Sequence, residues 1–447
     1  MKIIIAGAGE VGYFLAQMLT TQQKHEVIVI DRDKEILNEL SAHFDILALH
    51  GSATSIEILK RADTANADLF IAVTSIQEIN IIASMLAKKL GAKFTVARVD
   101  NDEYIELQHK NLFTELGIDA MIYPEILASE EIIHYLKHPS ILKSIYFASG
   151  KLSMLTIKIK EGTPLENLTL EKIAQKYPNI TARIVAIQRQ DKTIIPRGKD
   201  KILKNDVIYI ITDSKGSQEI LQAIGIKDFE IKNVMILGGS RIGVKLAHRL
   251  QKCCYVKLFE KDRDKSIELA EILTDTLVIH SEARSEEFLL EEGISHTDAF
   301  IAVTGNSEIN ILSCMLAKKL GVKKTIAEVE NTDYLDLAKK MDIDLIINKK
   351  LIAANYIYAY TINAEVLSIK YFSETEAKVL EFIVHENALI TKKPLKDINF
   401  PEGAIIGGIE REKEVFIAVG NTQIKAGDRV VVFSMPEVID KVAKFFR

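Results

Sequence analysis

The segment Glu78–Leu90 (EINIIASMLAKKL) returns as Glu308–Leu320 (EINILSCMLAKKL), with ten of thirteen positions identical at an offset of 230 residues. A chain that repeats itself at that distance folds as two like halves. The repetition runs past this helix. Asp68–Asn80 (DLFIAVTSIQEIN) matches Asp298–Asn310 (DAFIAVTGNSEIN), and Ala97–Leu107 (ARVDNDEYIEL) matches Ala327–Leu337 (AEVENTDYLDL). A period this long marks a duplicated pair of domains, not a solenoid unit.

Each half opens with short β-rich runs separated by helical patterns. In the first half the predicted strands are Lys2–Ala6, Glu26–Ile30, Asp45–Leu49, Leu69–Val73 and Thr95–Val99, and Ile79, Ile82, Leu86 and Leu90 are expected to line one face of the repeated helix. Strands near Ile118–Ile122 and Leu345–Ile347 are expected to close the two units. Strand–helix alternation implies a parallel sheet covered on both sides. Each half then passes through a helical connector, Glu125–Lys137 and about Lys349–Ile362, into a segment without that alternation. There the turn signals Lys-Asn-Asp206 and Ala-Gly-Asp428 precede β runs. The expected fold class is α/β: two Rossmann-like, doubly wound parallel-sheet domains, each followed by a small α+β lobe. The expected boundaries are 1–123, a connector 124–143, 144–228, 229–347, a connector 348–364, and 365–447.

Bulk composition narrows the function. A net charge of −5 and a pI near 6.1 give no overall attraction to nucleic acid or anionic lipid. Three cysteines are too few for a disulfide scaffold and fit a reduced cytosolic protein, with Cys253-Cys254 expected to begin a strand. Glu10 interrupts the apolar start, arguing against a signal peptide, and no run of about 18 uncharged apolar residues suggests a membrane span. The scattered histidines form no metal-ligand spacing, so no metal site is expected.

The chemistry sits in two loops. In IIIAGAGEVG a strand runs into Gly7, Ala8, Gly9, Glu10, Val11 and Gly12, and a helix begins near Val11. Gly7 suits the tight turn, Gly9 admits a pyrophosphate to the backbone, and Gly12 lets helix and strand pack closely. The helix N-terminus supplies unpaired N–H groups and partial positive charge. Nineteen residues beyond Gly12, Asp31 ends VIVID and is placed for ribose hydroxyls. Asp31 would repel a 2′-phosphate, which favours NAD(H) or an adenine nucleotide over NADP, although Arg32 next to it weakens that preference.

The second loop, VMILGGSRIG, offers Gly238, Gly239, Ser240, Arg241, Ile242 and Gly243, with Glu260 seventeen residues beyond Gly243. Ser240 replaces the middle glycine and is expected to crowd a pyrophosphate. Other candidates follow from position. Gly51, Ser52 and Ala53 follow the third strand, where adenine would lie, and Glu282 changes that environment in the second half. Thr74 and Thr304 follow the fourth strands, as cleft residues or as helix-entry turns, while Asn80 and Asn310 are expected to bond the local backbone. Charges are exchanged between halves: Glu10 and Arg98 become Arg241 and Glu328. Two readings stay open here. Either a Glu–Arg pair bridges each cleft in opposite polarity, or each copy places one cation for a different phosphate.

These residues, with VTSIQEINIIASMLAKKLGA, ARVDNDEY and RQDKTIIPRGKDKILKND, resemble the RCK (KTN) family in its Trk-type potassium-uptake regulators, over nearly the whole chain. The resemblance implies Rossmann-like N-lobes and smaller C-lobes, binding of NAD(H) and/or ATP/ADP, and a homo-oligomeric ring, expected as a tetramer. It further implies a cytoplasmic protein, peripheral at the inner face of the membrane through a membrane-embedded Trk potassium channel subunit, with no nucleic-acid partner. Ser240, Glu282 and Glu328 depart from the pattern in the second half. The alternative is an NAD-dependent oxidoreductase; no tyrosine is followed four residues later by lysine, and no acid–base set accompanies the loops.

Overall fold

The computed structural model describes residues 1–20, 25–106, 108–137, 143–147, 151–190, 192–225, 229–361, 366–371, 377–412 and 414–447. Residues 138–142 and 362–365, within or beside the expected connectors, lie outside them. The chain divides into two compact units, Met1–Ile133 with Lys232–Thr361 and His134–Ile231 with Ile362–Arg447. Each unit therefore joins one piece of the first half to its counterpart in the second.

The first piece is a six-stranded sheet of β1 (Lys2–Ala6), β2 (Glu26–Asp31), β3 (Leu47–His50), β4 (Leu69–Ala72), β5 (Phe94–Arg98) and β6 (Ala120–Ile122), in the order β3-β2-β1-β4-β5-β6 with every pairing parallel. Its central strands are apolar on both faces because helices cover both. The next piece is a five-stranded antiparallel sheet of β7 (Lys143–Phe147), β8 (Leu152–Lys158), β9 (Ala182–Arg189), β10 (Lys192–Ile194) and β11 (Val207–Asp213), ordered β10-β9-β11-β8-β7. Both layouts then recur. The strands β12 (Asn233–Leu237), β13 (Tyr255–Glu260), β14 (Thr276–His280), β15 (Ala299–Ala302), β16 (Lys324–Glu328) and β17 (Leu345–Ile347) take the order β14-β13-β12-β15-β16-β17. Finally β18 (Val366–Tyr371), β19 (Lys378–Ile383), β20 (Ala404–Arg411), β21 (Glu414–Ile417) and β22 (Arg429–Ser434) run β18-β19-β22-β20-β21.

Three local expectations change. The third strand begins at Leu47 rather than Asp45. In the repeated helix, Gln77–Leu90, the residues buried against the sheet are Asn80, Ala83, Ser84 and Ala87, with Ile79, Leu86 and Leu90 beside them. Ile82 is instead 48% exposed, because small residues let the helix lie close and turn that isoleucine outward. Cys253 and Cys254 lie in the turn before β13, with Cys253 exposed.

In the second unit the two antiparallel sheets share one apolar layer. Leu152, Met154, Tyr209 and Ile211 meet Val379, Val431 and Phe433, and a Cβ at Gly407 would lie 2.0 Å from Ile211 Cδ1. Each sheet also carries the same buried clamp at the predicted turn. Arg189 grips Asp206 through Nε at 2.9 Å and Nη2 at 2.8 Å, and Arg411 grips Asp428 at 2.8 Å through both nitrogens. Both carboxylates are 1% exposed and also accept a backbone N–H, from Leu203 and Lys425. Removing one partner leaves a buried charge unpaired, which costs about 3 kcal/mol or more. Arg411→Met is therefore expected to lower the thermal midpoint of the chain clearly, followed by circular dichroism; an unchanged midpoint would show that the clamp contributes little.

Candidate nucleotide clefts

At the carboxyl edge of β1 the loop conformation is dictated by crowding. Gly7 has φ +113°, and a Cβ there would sit 2.8 Å from the Thr74 nitrogen. A Cβ at Gly12 would approach the Gly7 carbonyl oxygen to 1.9 Å, so helix and loop touch directly. Gly9 differs: nothing lies within 4 Å of the position its Cβ would take, and the helix Glu10–Thr20 begins at the next residue. Asp31 at the end of β2 accepts from the Ala8 N–H at 2.6 Å and from the Asp33 N–H at 2.8 Å. Each oxygen retains a further acceptor position.

These groups face a cleft of about 420 Å³. Gly7, Gly9, Glu10 and Val11 form its loop side, Asp31, Gly51 and Ala53 the side at the ends of β2 and β3, and Thr74 and Arg98 its far wall. Three predicted residues serve from outside it. Ala8 is buried and orients Asp31, Gly12 lies beneath the loop, and Ser52 takes a hydrogen bond from Arg32 at 3.0 Å. The cleft lies between β1 and β4, where the strand order reverses and ligands of doubly wound sheets bind. An open glycine, free helix N–H groups and a ribose-level carboxylate fit a nucleotide.

The second loop keeps this backbone and loses the opening. Gly238 has φ +108°, and a Cβ on Gly243 would lie 2.1 Å from the Gly238 oxygen. Ser240 caps the helix Arg241–Leu250 by accepting from the Gly243 N–H at 3.3 Å, so its hydroxyl occupies a donor that a phosphate would use. Glu260 is 6% exposed and accepts from the Gly239 and Asp262 N–H groups at 3.0 and 2.9 Å. The longer acid requires the smaller loop residue: a Cβ at Gly239 would lie 2.7 Å from Glu260 Oε2 and 2.5 Å from Leu269 Cδ1. Ile242 is buried, and Glu282 sits exposed with Arg284 at 3.6 Å. This set fits a nucleotide poorly.

Asn80 and Asn310 do the same work in both lobes. Asn80 accepts from the Thr74 N–H at 2.8 Å and donates to the Thr74 and Arg98 carbonyls. Asn310 repeats this with Thr304 and Glu328. Each asparagine ties the ends of two adjacent strands.

The exchanged charges do not pair within a lobe as either Glu10–Arg98 or Arg241–Glu328. Two of them, Glu10 and Arg241, pair instead with residues of the other half, within the first unit. Glu10 binds Lys350, which also reaches Glu330 at 2.7 Å, and Arg241 binds Asp100 at 2.7 Å. Lys245 binds Asp102 and stands over the Tyr123 ring. Burial, with the charges of Asp102 and Glu125, pushes the Tyr123 phenol up to about 12. Arg241, Gly239, Lys245, Asp100 and Asp102 line a separate cleft of about 760 Å³ between the lobes.

Glu328, 2% exposed, lies 3.2 Å from Lys349, which also approaches Glu330 at 2.5 Å and Glu125 at 4.0 Å. Burial raises the Glu328 pKa, only partly offset by Lys349. Burial also works against the Lys349 charge, yet Glu328, Glu330 and Glu125 together hold its pKa above the usual value. Lys349 and Lys350 escaped the sequence reading. A signal existed: Lys350 follows β17 by the same three residues as Glu125 follows β6, with its charge reversed.

Comparison with known proteins places this architecture. The TrkA-N domain family matches residues 3–124 and 234–349, and the TrkA-C domain family matches 154–225 and 379–447. The chain is 33% identical to "Trk system potassium uptake protein TrkA homolog 1" of Methanosarcina mazei, over 100% of both chains. It is 32% identical to "Trk system potassium uptake protein TrkA" of Halomonas elongata, over 99% of this chain and 96% of that protein. Its fold is similar to the GsuK RCK domain (TM-score 0.61, 18% identity, 99% of this chain and 94% of that one). It is likewise similar to the GsuK channel bound to NAD (TM-score 0.62, 17% identity, 100% and 78%). With its two TrkA-N and two TrkA-C domains and relatives matched end to end, the chain belongs to the TrkA family of Trk-system potassium uptake proteins.

Proposed function

We propose that this protein is the cytosolic nucleotide-sensing regulatory subunit of a Trk-type potassium channel or transporter. The observation that carries the reading is the open first cleft, with Gly9, Asp31 and Arg98 arranged for a nucleotide, in a chain matched end to end by Trk potassium uptake proteins. The ligand is NAD(H) or an adenine nucleotide, held by the first N-lobe. The GsuK channel of related fold binds NAD, which supports that class. The second N-lobe serves as scaffold and lever rather than as an equal site.

The membrane-embedded partner is the Trk potassium channel subunit, through which this protein sits at the inner face of the membrane; no helix among the described residues is long and apolar enough to cross a membrane. Homo-oligomerisation, as the tetrameric ring that the family resemblance implies, is supported by an apolar surface on the repeated helix. Ile82 and its counterpart Leu312 are 48% and 63% exposed, an apolar residue turned outward in both lobes. In a ring, each ligand adds its differential affinity for two conformations to one gate.

Vesicles holding the membrane subunit together with this protein test the reading. Addition of ATP, ADP, NAD⁺ or NADH is expected to change rubidium uptake several-fold for at least one of them. Failure of the two proteins to co-purify, with uptake indifferent to all four, would overturn it. Steady NADH consumption with a small substrate would favour the oxidoreductase instead.

A further inference from the structure

We propose that Lys350, on the connector helix that follows the second N-lobe, completes the first cleft by binding the distal phosphates of a nucleoside di- or triphosphate held there, leaving Glu10 as it does so. The inference rests on the nucleotide reading above and names the residue that selects the ligand's charged end.

Lys350 lines the first cleft together with the glycine loop and Arg98. Its ammonium is held between Glu10 of the first lobe and Glu330 of the second. The Glu10 side chain is 58% exposed, so that link is weak and exchangeable, whereas Glu330 is 31% exposed and also bound by Lys349. A phosphate delivered beside the loop carries more charge than a single carboxylate and offers more acceptor oxygens, so it outcompetes Glu10 for the same ammonium. Arg98, on the wall of the cleft, pairs with no carboxylate among the described residues. The two cations thus answer the charge beyond the first phosphate, which the backbone N–H groups of the helix end receive.

The second lobe shows the reverse arrangement at all three positions. Glu10 becomes Arg241, Arg98 becomes Glu328, and the place of Lys350 on the connector is taken by Glu125. At these positions two carboxylates and one cation replace two cations and one carboxylate, and the further cation there, Lys349, is already shared by Glu328, Glu330 and Glu125, so the second cleft attracts a polyphosphate less than the first. The charge exchange is therefore a selection of one cleft over the other. It also gives a route for the signal, because Lys350 lies on the helix Lys349–Tyr358, which packs against the first-lobe helix Glu10–Thr20. Occupancy of the first lobe is read by the connector helix of the second half.

Calorimetric titration of ATP and of AMP into the full chain tests this. Lys350→Gln is expected to weaken ATP at least tenfold and AMP less than twofold, since AMP lacks the distal phosphates. Lys350→Arg should hold ATP within threefold. Glu10→Gln should tighten ATP several-fold, a gain that a damaged fold does not produce. Parent-like ATP binding by Lys350→Gln, or equal losses for ATP and AMP, would overturn the assignment while leaving the nucleotide site standing. A parent chain that binds none of ATP, AMP and NAD⁺ would overturn the nucleotide reading and this inference together.

Discussion

Valine at position 9 is expected to remove nucleotide binding from the first lobe while the fold stands. No atom lies within 4 Å of the Cβ position on Gly9, so the added side chain enters open space rather than the protein. That space is where a phosphate must come to accept hydrogen bonds from the N–H groups at the start of the helix Glu10–Thr20. Hydrogen bonds to a charged group contribute about 1.5–3 kcal/mol each. Losing even two of them weakens binding by a hundredfold or more, since about 1.4 kcal/mol is a factor of ten. Calorimetry should therefore show Gly9→Val failing to bind ATP and NAD⁺, with a thermal midpoint close to that of the parent. Gly12→Ala is the contrasting control, because its Cβ would sit 1.9 Å from the Gly7 oxygen and the loop itself must distort. Gly9→Val binding as tightly as the parent would mean that no ligand approaches this loop.

The two glycines differ in a way that a motif does not state. Spacing alone identifies strand, turn and helix at 7–12 and at 238–243, because Gly7, Gly12, Gly238 and Gly243 answer to contacts inside the chain itself. The contact of Gly12 with Gly7, and of Gly243 with Gly238, is local, and Gly7 and Gly238 each also meet the end of the adjacent fourth strand, which the repeated fold supplies in both halves. The parallel sheets were legible for the same reason: alternating apolar runs and helical patterns leave few topologies. What remained hidden depends on pairing between distant segments. Glu10 meets Lys350 and Arg241 meets Asp100, and no periodicity announces either partnership. The exposed Ile82 was misread because a helical wheel counts apolar residues and cannot see that Ala83 and Ala87 bring the backbone close to the sheet. The exchange of Ala8 and Asp31 for Gly239 and Glu260 needed coordinates to show that one methylene had moved from loop to acid. Duplication thus preserved what each lobe requires to fold, and freed for change the residues by which one lobe addresses the other.

Lys349→Met is expected to destabilise the first unit by about 3 kcal/mol at pH 8, because removing one member of a buried ionic cluster leaves its partners uncompensated. Lys349 Nζ is the cation shared by Glu328, Glu330 and Glu125, and Glu328 and Glu125 are 2% and 5% exposed. Methionine keeps most of the length and apolar volume, so the loss measures charge rather than packing. The sign with pH follows from the directions of the shifts. Lys349 has a raised pKa in the folded chain, so its contribution is fully present below the ordinary lysine pKa and disappears only as pH rises through the folded value. The parent therefore keeps that stabilisation between pH 8 and pH 5. Glu328 is also raised, chiefly by burial, so the fold favours its neutral form, and without Lys349 that preference grows. Lowering the pH lets the orphaned carboxylate take up a proton, and the deficit of the variant relative to the parent should shrink from pH 8 to pH 5. Thermal midpoints of both proteins at the two pH values check this, and adding Glu328→Gln to the variant should recover much of the loss at pH 8. A deficit that is the same at both pH values, unrelieved by the second substitution, would show that the lysine is held by packing and that the carboxylates around it do not depend on its charge.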